Sequence, residues 1–274
     1  METQWIERDD VDDAALAYEH RPGPGPLVVF LHAGVADRRS WRDVVLDGTA
    51  TLTWDRRGFG ESAPGGTAFS HLEDLRALLD ATSPEPVVLV GNSMGGGLAL
   101  DAALEFPDRI AGLLLLGTAV SGAPSPTVAD LEPRTLELDA AVDAAVVAGD
   151  LDRAAAFEAE LWLDGPLAAP GRVGGVARGL FLDMARTALA TGAAEHGGSA
   201  VDAWSRLGEL DLPVTLASGD LDARYLQTRT EELLARIPGA VRAELPGTAH
   251  LPSLERPDLV RDLVRGVLRR VAQR

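Results

Sequence analysis

Residues 89 to 101 read LVGNSMGGGLALD, so Ser93 stands among four glycines directly after a run of strand-forming apolar residues. A serine hydroxyl becomes a nucleophile when a neighbouring base takes its proton and a third group orients that base. Histidine suits the base, and the chain has five. His20 lies in an early strand-like stretch beside PGPGP, His71 opens a helical pattern, and His196 sits in glycine-rich sequence. His32 follows the apolar run PLVVFL, where it suits the shaping of a loop. His250 remains, in ELPGTAHLPSLERP, after the last strand-like run and before the final helical pattern. The segment GDLD at 219–222 offers two carboxylates to orient it, Asp220 and Asp222.

Three kinds of chemistry use a glycine-rich turn after a strand. A phosphate-cradling loop of the G-x-x-x-x-G-K-[ST] type needs a lysine. This chain has none, and all 25 of its basic residues are arginine. Gly91, Gly95 and Gly97 fit the G-x-x-x-G-x-G spacing of short-chain dehydrogenases. Those enzymes carry the motif on their first strand and use a tyrosine with a nearby lysine, whereas here at least two strand-like runs precede it. The third pattern is G-x-S-x-G, formed by Gly91, Asn92, Ser93, Met94 and Gly95. A strand turning sharply into a helix forces its central residue into a strained conformation, and glycines on either side let the two elements approach. The serine then stands at the carboxyl end of the sheet, near the positive end of a helix dipole.

The elements that must hold these residues follow from periodicity. PLVVFLHAG (26–34), ATLTWDRRGFG (50–60), PVVLVGNS (86–93), IAGLLLLGT (110–118) and PVTLASGD (213–220) are near-continuous apolar runs. Such runs imply strands covered on both faces, hence a largely parallel sheet. Helical patterns alternate with them, at 71–81, 96–106, 225–237 and 258–271, which points to an α/β fold with right-handed crossovers. ALAYEHR (15–21), closed by PGPGP, reads as a leading antiparallel strand. From 121 to 203 the sequence is alanine-rich and helical with no strand-like run, too long for an ordinary connection. It is expected to be a cap inserted into a core formed by 1–120 and 204–274.

Composition excludes several classes. The chain has 274 residues, is 46% hydrophobic and 24% charged, and carries a net charge of −17. That field repels phosphate backbones, so a nucleic-acid partner is not expected. Without cysteine there are no disulfides, thiolate metal sites or cysteine nucleophiles. No apolar run approaches the ~20 residues that span a bilayer. The acidic N-terminus lacks the features of a signal peptide, so a cytoplasmic location is the expectation.

The order Ser93, aspartate, His250 and five short matches together resemble the α/β-hydrolase fold: LHAG at 31–34, DRRGFGES at 55–62, GNSMGG at 91–96, GDLD at 219–222 and GTAHLPSLERP at 247–257. The resemblance implies a mostly parallel central sheet with helices on both faces and an inserted helical cap. It implies that the acid is Asp222, the last residue of G-x-x-D. It implies backbone oxyanion donors at Met94 and at Ala33 or Gly34, with Gly34 preferred, and no metal or organic cofactor. Where relatives carry His-Gly this chain has His32-Ala33. Asp55-Arg56-Arg57-Gly58 and Asn92 are expected to be scaffold, and Trp162 of the cap is a candidate pocket-lining residue. Ser93 in place of an aspartate sets aside the halide and epoxide branches. GNSMGG resembles the carbon–carbon hydrolases of ring-fission products, but those carry a glycine-rich H-G-x-G-P-G loop and a tryptophan after the histidine, where this chain has HAGVAD and Leu251. The expected activity is hydrolysis of a small, moderately apolar ester or lactone through an acyl-serine. The alternatives are carbon–carbon bond hydrolysis or a non-catalytic, ligand-sensing role.

Overall fold

A computed structural model describes residues 2–8, 14–63 and 69–274. Its strands are β1 (Gln4–Arg8), β2 (Ala14–Arg21), β3 (Val28–Leu31), β4 (Thr51–Trp54), β5 (Val87–Asn92), β6 (Ile110–Leu116), β7 (Val214–Gly219) and β8 (Val241–Leu245). They form one sheet in the order β1-β2-β4-β3-β5-β6-β7-β8. β2 pairs antiparallel with both β1 and β4, and every pairing from β4 to β8 is parallel. This is the α/β-hydrolase fold.

The five apolar runs are the buried strands because both faces of the sheet are covered. Alternate residues point to opposite sides. Val29, Leu31, Leu89, Leu113 and Leu115 pack against α1 (His71–Thr82) and α2 (Met94–Glu105). Val28, Phe30, Val88, Val90, Leu114 and Leu116 meet Val260, Val264 and Val267 of α9 (Pro257–Val271). Those valines recur at four- and three-residue spacing in DLVRDLVRGVLRRV, leaving the arginines on the outer face.

β8 was not among the expected strands. Its sequence, VRAEL, buries Leu245 alone, and Val241, Arg242 and Glu244 are exposed. A charged strand at the sheet edge lacks the apolar run that reports a central strand, and its charges discourage further pairing. β1, at the other edge, is similarly polar.

Between β6 and β7 come α3 (Pro133–Val147), α4 (Leu151–Glu158), a π-helical stretch (Ala159–Asp164) and α5 (Gly175–Thr191). Their apolar side packs on the loops that leave the sheet: Ala155, Ala159, Leu163, Phe181 and Met184 meet Ala33, Ala36 and Leu251. The many alanines let helix backbones come close to those loops. α6 (Ala203–Arg206) leads back to the sheet, α7 (Arg224–Arg236) connects β7 to β8, and the short α8 (Pro252–Glu255) follows His250. Among the described residues, no helix is long and apolar enough to cross a membrane.

The approach of α2 to the sheet depends on glycine. A Cβ at Gly95 would run into the carbonyl group of Leu31 and stand 2.7 Å from the carbonyl oxygen of His32. One at Gly97, two residues along the same helix, would meet nothing nearer than Ala119 O at 3.2 Å. Gly95→Ala is therefore expected to cost about 2 kcal/mol or more in urea unfolding, and Gly97→Ala less than about 1 kcal/mol. Equal losses at the two positions would contradict the close approach.

Candidate active site

Ser93 occupies the joint between β5 and α2 with φ 53° and ψ −119°. It is the one non-glycine residue with positive φ among those described. A non-glycine residue there costs on the order of 1–3 kcal/mol and persists where its surroundings over-determine it. They do so here. The Ser93 N–H donates to Leu116 O at 2.9 Å, and the Ser93 carbonyl accepts from Gly96, Gly97 and Ala119 at 2.9, 3.1 and 3.1 Å. A Cβ at Gly91 would collide with the backbone of Gly95 and Gly96, so the turn admits no larger residue there. Met94 begins α2, in the turn whose N–H groups lack intrahelical partners.

His250 and Asp222 arrive from the ends of other strands. Asp222 lies in the loop after β7 and is fully buried. Its Oδ1 accepts the Ala223 N–H at 2.8 Å, and its Oδ2 lies 2.9 Å from His250 Nδ1. An ionised carboxylate accepts, so Nδ1 carries the proton and Nε2 is left with its lone pair. Asp220 does not reach the histidine; its Oδ1 accepts from Gly247 N–H at 2.8 Å and braces the loop before it. Asn92 joins the serine and histidine segments, its amide donating to Leu116 O at 2.9 Å and to His250 O at 3.0 Å. The Trp162 ring sits 4.7 Å from the His250 ring, and its carbonyl accepts the His250 N–H at 3.2 Å.

The loop after β3 is held by Arg56. Its guanidinium donates to the carbonyls of His32 and Ala33 at 3.2 and 3.1 Å, while its backbone N–H donates to His32 Nε2 at 3.1 Å. His32 is thereby a neutral ring with Nδ1 bonded to Ala33 O at 2.8 Å, and burial pushes its pKa well down. Burial likewise lowers Arg56 to about 9. Ala33 is buried, while Gly34 beyond it packs on the Met94 side chain and lines a cavity. His20 lies in β2 opposite Leu52, His71 opens α1, and His196 is exposed. Among the described residues, none of these three hydrogen-bonds to Ser93, His250 or Asp222.

Residues 28–263 match the alpha/beta hydrolase family along most of the chain. The chain belongs to this family. A Bacillus subtilis (strain 168) protein provisionally named 2-succinyl-6-hydroxy-2,4-cyclohexadiene-1-carboxylate synthase is 26% identical over 260 residues, covering 89% of this chain and 90% of that one. A 2-hydroxy-6-oxo-2,4-heptadienoate hydrolase from Pseudomonas putida is 36% identical over 108 residues, which is 36% of this chain and 39% of that protein. Among solved structures, a thermophilic esterase from Thermogutta terrifontis superposes with a TM-score of 0.79 at 24% identity, covering 99% of both chains. At that identity the likeness speaks for the fold.

Three further residues of this alpha/beta hydrolase bear on the site, though their roles there are not legible in the sequence. Gly117 (φ 48°) leaves β6 so close to the histidine–aspartate pair that a Cβ there would stand 3.0 Å from Asp222 Oδ2 and 3.1 Å from His250 Nδ1. Glu255 accepts the backbone N–H groups on either side of the histidine, Ala249 at 2.8 Å and Leu251 at 3.1 Å. Burial raises its pKa to about 6, against the opposing pull of Arg172. Arg172 pairs with Glu255 and donates to the carbonyls of Leu163, Asp164 and Gly247 at 2.8, 2.9 and 3.0 Å, tying the helical insertion to the histidine loop. The turn patterns available at 247–257 signal a loop, but not that one carboxylate spans it.

Glu255→Ala removes an acceptor from two backbone donors and leaves the part-buried Arg172 without its charge partner. It is expected to cost about 2–4 kcal/mol in denaturant unfolding, with Glu255→Gln milder. A loss under about 0.5 kcal/mol would show that the loop holds itself. Glu158, at the end of α4, offers a test in pH. Burial pushes its pKa up to about 7, with Asp139 and Asp143 adding to the rise and the Trp162 N–H and His250 opposing it. A folded-state pKa above the ordinary 4.5 means that ionisation costs stability. The penalty is absent below pH 4.5, grows toward pH 7 and is complete above it. Glu158→Gln should therefore raise stability at pH 8 by on the order of 1–3 kcal/mol more than at pH 4.5. Equal effects at both pH values would contradict the burial.

Proposed function

We propose that this protein is a serine hydrolase that cleaves a small, moderately apolar carboxylic ester or lactone through an acyl-serine intermediate. The observation that carries this reading is the 2.9 Å bond between His250 Nδ1 and Asp222 Oδ2, in a fold where Asn92 ties the histidine loop to a serine held at positive φ. His250 Nε2 takes the Ser93 proton as Oγ attacks the acyl carbonyl. The backbone N–H groups of Met94 and Gly34 receive the oxyanion, each worth on the order of a hundredfold or more in rate. Gly34 is preferred to Ala33 because it faces the cavity, whereas Ala33 is buried.

His250 then returns the proton to the leaving alkoxide oxygen. Water, deprotonated by the same ring, attacks the acyl-serine and releases the acid. Asp222 stays ionised throughout, holding the tautomer and stabilising the imidazolium. Residues 121–203 serve as a cap that supplies apolar walls and excludes water. Trp162, packed on the His250 ring, is its candidate substrate contact. These steps use the chain's own residues and call for no cofactor.

Carbon–carbon hydrolysis has a partial relative in its favour, but its dienoate substrates carry a carboxylate. The cap arginines that could receive one are otherwise engaged. Arg172 pairs with Glu255, Arg178 with Asp164 at 2.9 Å, and Arg186 with Asp152 and Asp183 at 3.0 and 3.3 Å. Arg153 lies over Phe157, and none of the four lines the cavity beside Gly34.

A fluorophosphonate probe is expected to label Ser93 once, with labelling and ester turnover both absent in Ser93→Ala. Asp222→Asn should lower kcat on the order of a thousandfold or more by favouring the wrong tautomer, and Asp220→Asn by less than about tenfold. A crippling effect at Asp220 with a mild one at Asp222 would overturn the assignment of the acid. Rapid bleaching of a yellow ring-fission product, with esters untouched, would overturn the substrate class.

A further inference from the structure

A cavity of about 470 Å³ opens between α3, α5 and the Gly34–Val35 loop. Much of its wall is aliphatic, from Val142, Val146, Ala185, Ala188 and Leu189. Its acidic lining residues are Asp143 and Glu158, and none of its described lining residues is basic. An apolar site with a few convergent polar groups orients a ligand through those groups. The sign of the groups therefore says what the ligand must bring.

Glu158 is the telling member. Its Oε2 is closed off from solvent and has no hydrogen-bond partner among the described residues. A buried acceptor left unmet is costly, and a carboxylate more so than a neutral group. Burial, reinforced by Asp139 and Asp143 from α3, raises its pKa to about 7, while the Trp162 N–H on its own helical run and His250 from the facing loop pull the other way. Near neutral pH the group is thus half ionised, in a wall that already holds the carboxylate of Asp143. A strongly perturbed acid lining a cleft is a candidate for a functional role. What would suit this carboxyl, which lines the cavity, is a donor carrying positive charge placed against it, because a cation offsets the cost of the buried charge and relieves its repulsion with Asp143.

The position suits a role in substrate choice. Trp162, four residues beyond Glu158, packs at 4.7 Å on the His250 ring, and both Trp162 and His250 pull on the Glu158 carboxyl, so the acid of the cavity lies close to the proposed reaction centre. We propose that Glu158, with Asp143 beside it, is an amine-recognition subsite, and that the favoured substrates are esters or lactones whose acyl part carries a protonated amino group. The aliphatic walls accommodate the methylenes between the amine and the scissile carbonyl. Substrates with a carboxylate in the same place are repelled. This selectivity rests on the ester-hydrolase reading for its catalytic half and on the cavity alone for its binding half.

The test compares methyl 5-aminopentanoate, methyl hexanoate and monomethyl adipate, which place an ammonium, a methyl or a carboxylate at similar reach. At pH 7.5 the expected kcat/KM falls in that order, with about tenfold or more between ammonium and methyl, the size of one charge-assisted hydrogen bond. In Glu158→Gln the ammonium-to-methyl ratio is expected to fall to about one, and in Glu158→Asp to lie between. A circular-dichroism melt confirms that each variant is folded. Turnover of methyl hexanoate without preference for the amine, or a preference that survives Glu158→Gln, overturns the subsite and leaves the hydrolase reading standing. Should no ester be cleaved and no probe label Ser93, the hydrolase reading fails and calorimetry decides the subsite by itself. Binding of pentylammonium but not hexanoate, lost in Glu158→Gln, supports the subsite, and equal or absent binding of both overturns it.

Discussion

The structure turns on one backbone torsion. Ser93 sits at φ 53° because the chain must leave β5 and enter α2 within a single residue, with the helix close against β3. That closeness is possible where Gly91 and Gly95 carry no side chain, since a Cβ at either would enter neighbouring backbone. The strain is offset by hydrogen bonds that converge on the same residue from α2, from β6 and from the segment after it. The serine is thus presented at the carboxyl end of the sheet by packing, and a larger residue at either glycine would be felt at the hydroxyl first.

The histidine is positioned by a different device, a loop stitched together by side chains. Asp220 holds Gly247, Glu255 holds Ala249 and Leu251, and Asn92 holds the carbonyl of His250 itself. The Asp220 bond lies at the surface, while those of Glu255 and Asn92 are half-buried or buried, so little freedom remains for the ring beyond its bond to Asp222. Arg172 extends the same network into the helical insertion, which makes the insertion's placement and the histidine's orientation one mechanical problem.

With no lysine in the chain, its buried cations are planar guanidiniums, and they are used as braces. Arg57 forks onto Asp74 with two 2.7 Å bonds, and Arg38 bonds to Asp55 beneath the loop after β3. Arg56 points its guanidinium at two carbonyls of the loop that ends in Gly34. Removing one partner of such a pair strands a buried charge, which is why they hold geometry even where they add little net stability. The acidic cavity lies beyond this set, on the side of the insertion where the arginines are turned outward or paired.

The sequence by itself determined the order and kind of the elements. Apolar runs of five to seven residues can be buried on both faces only in a covered parallel sheet, and spacings of three and four mark the helices that cover it. The glycine turn was legible for a similar reason: Gly91 and Gly95 around Ser93 are a local steric requirement, written in adjacent residues. β8 was not legible, because an exposed edge strand needs no apolar pattern. The residues alone left Asp220 and Asp222 both open, and the resemblance named Asp222; in the folded loop Asp222 meets His250 while Asp220 turns to Gly247. Gly117, Glu255 and Glu158 belong with that second group. Gly117's closeness to His250 and Asp222 and the pairing of Arg172 with Glu255 join segments far apart in the chain, while Glu158's burial and Glu255's hold on the loop around His250 depend on side-chain directions that the sequence does not record.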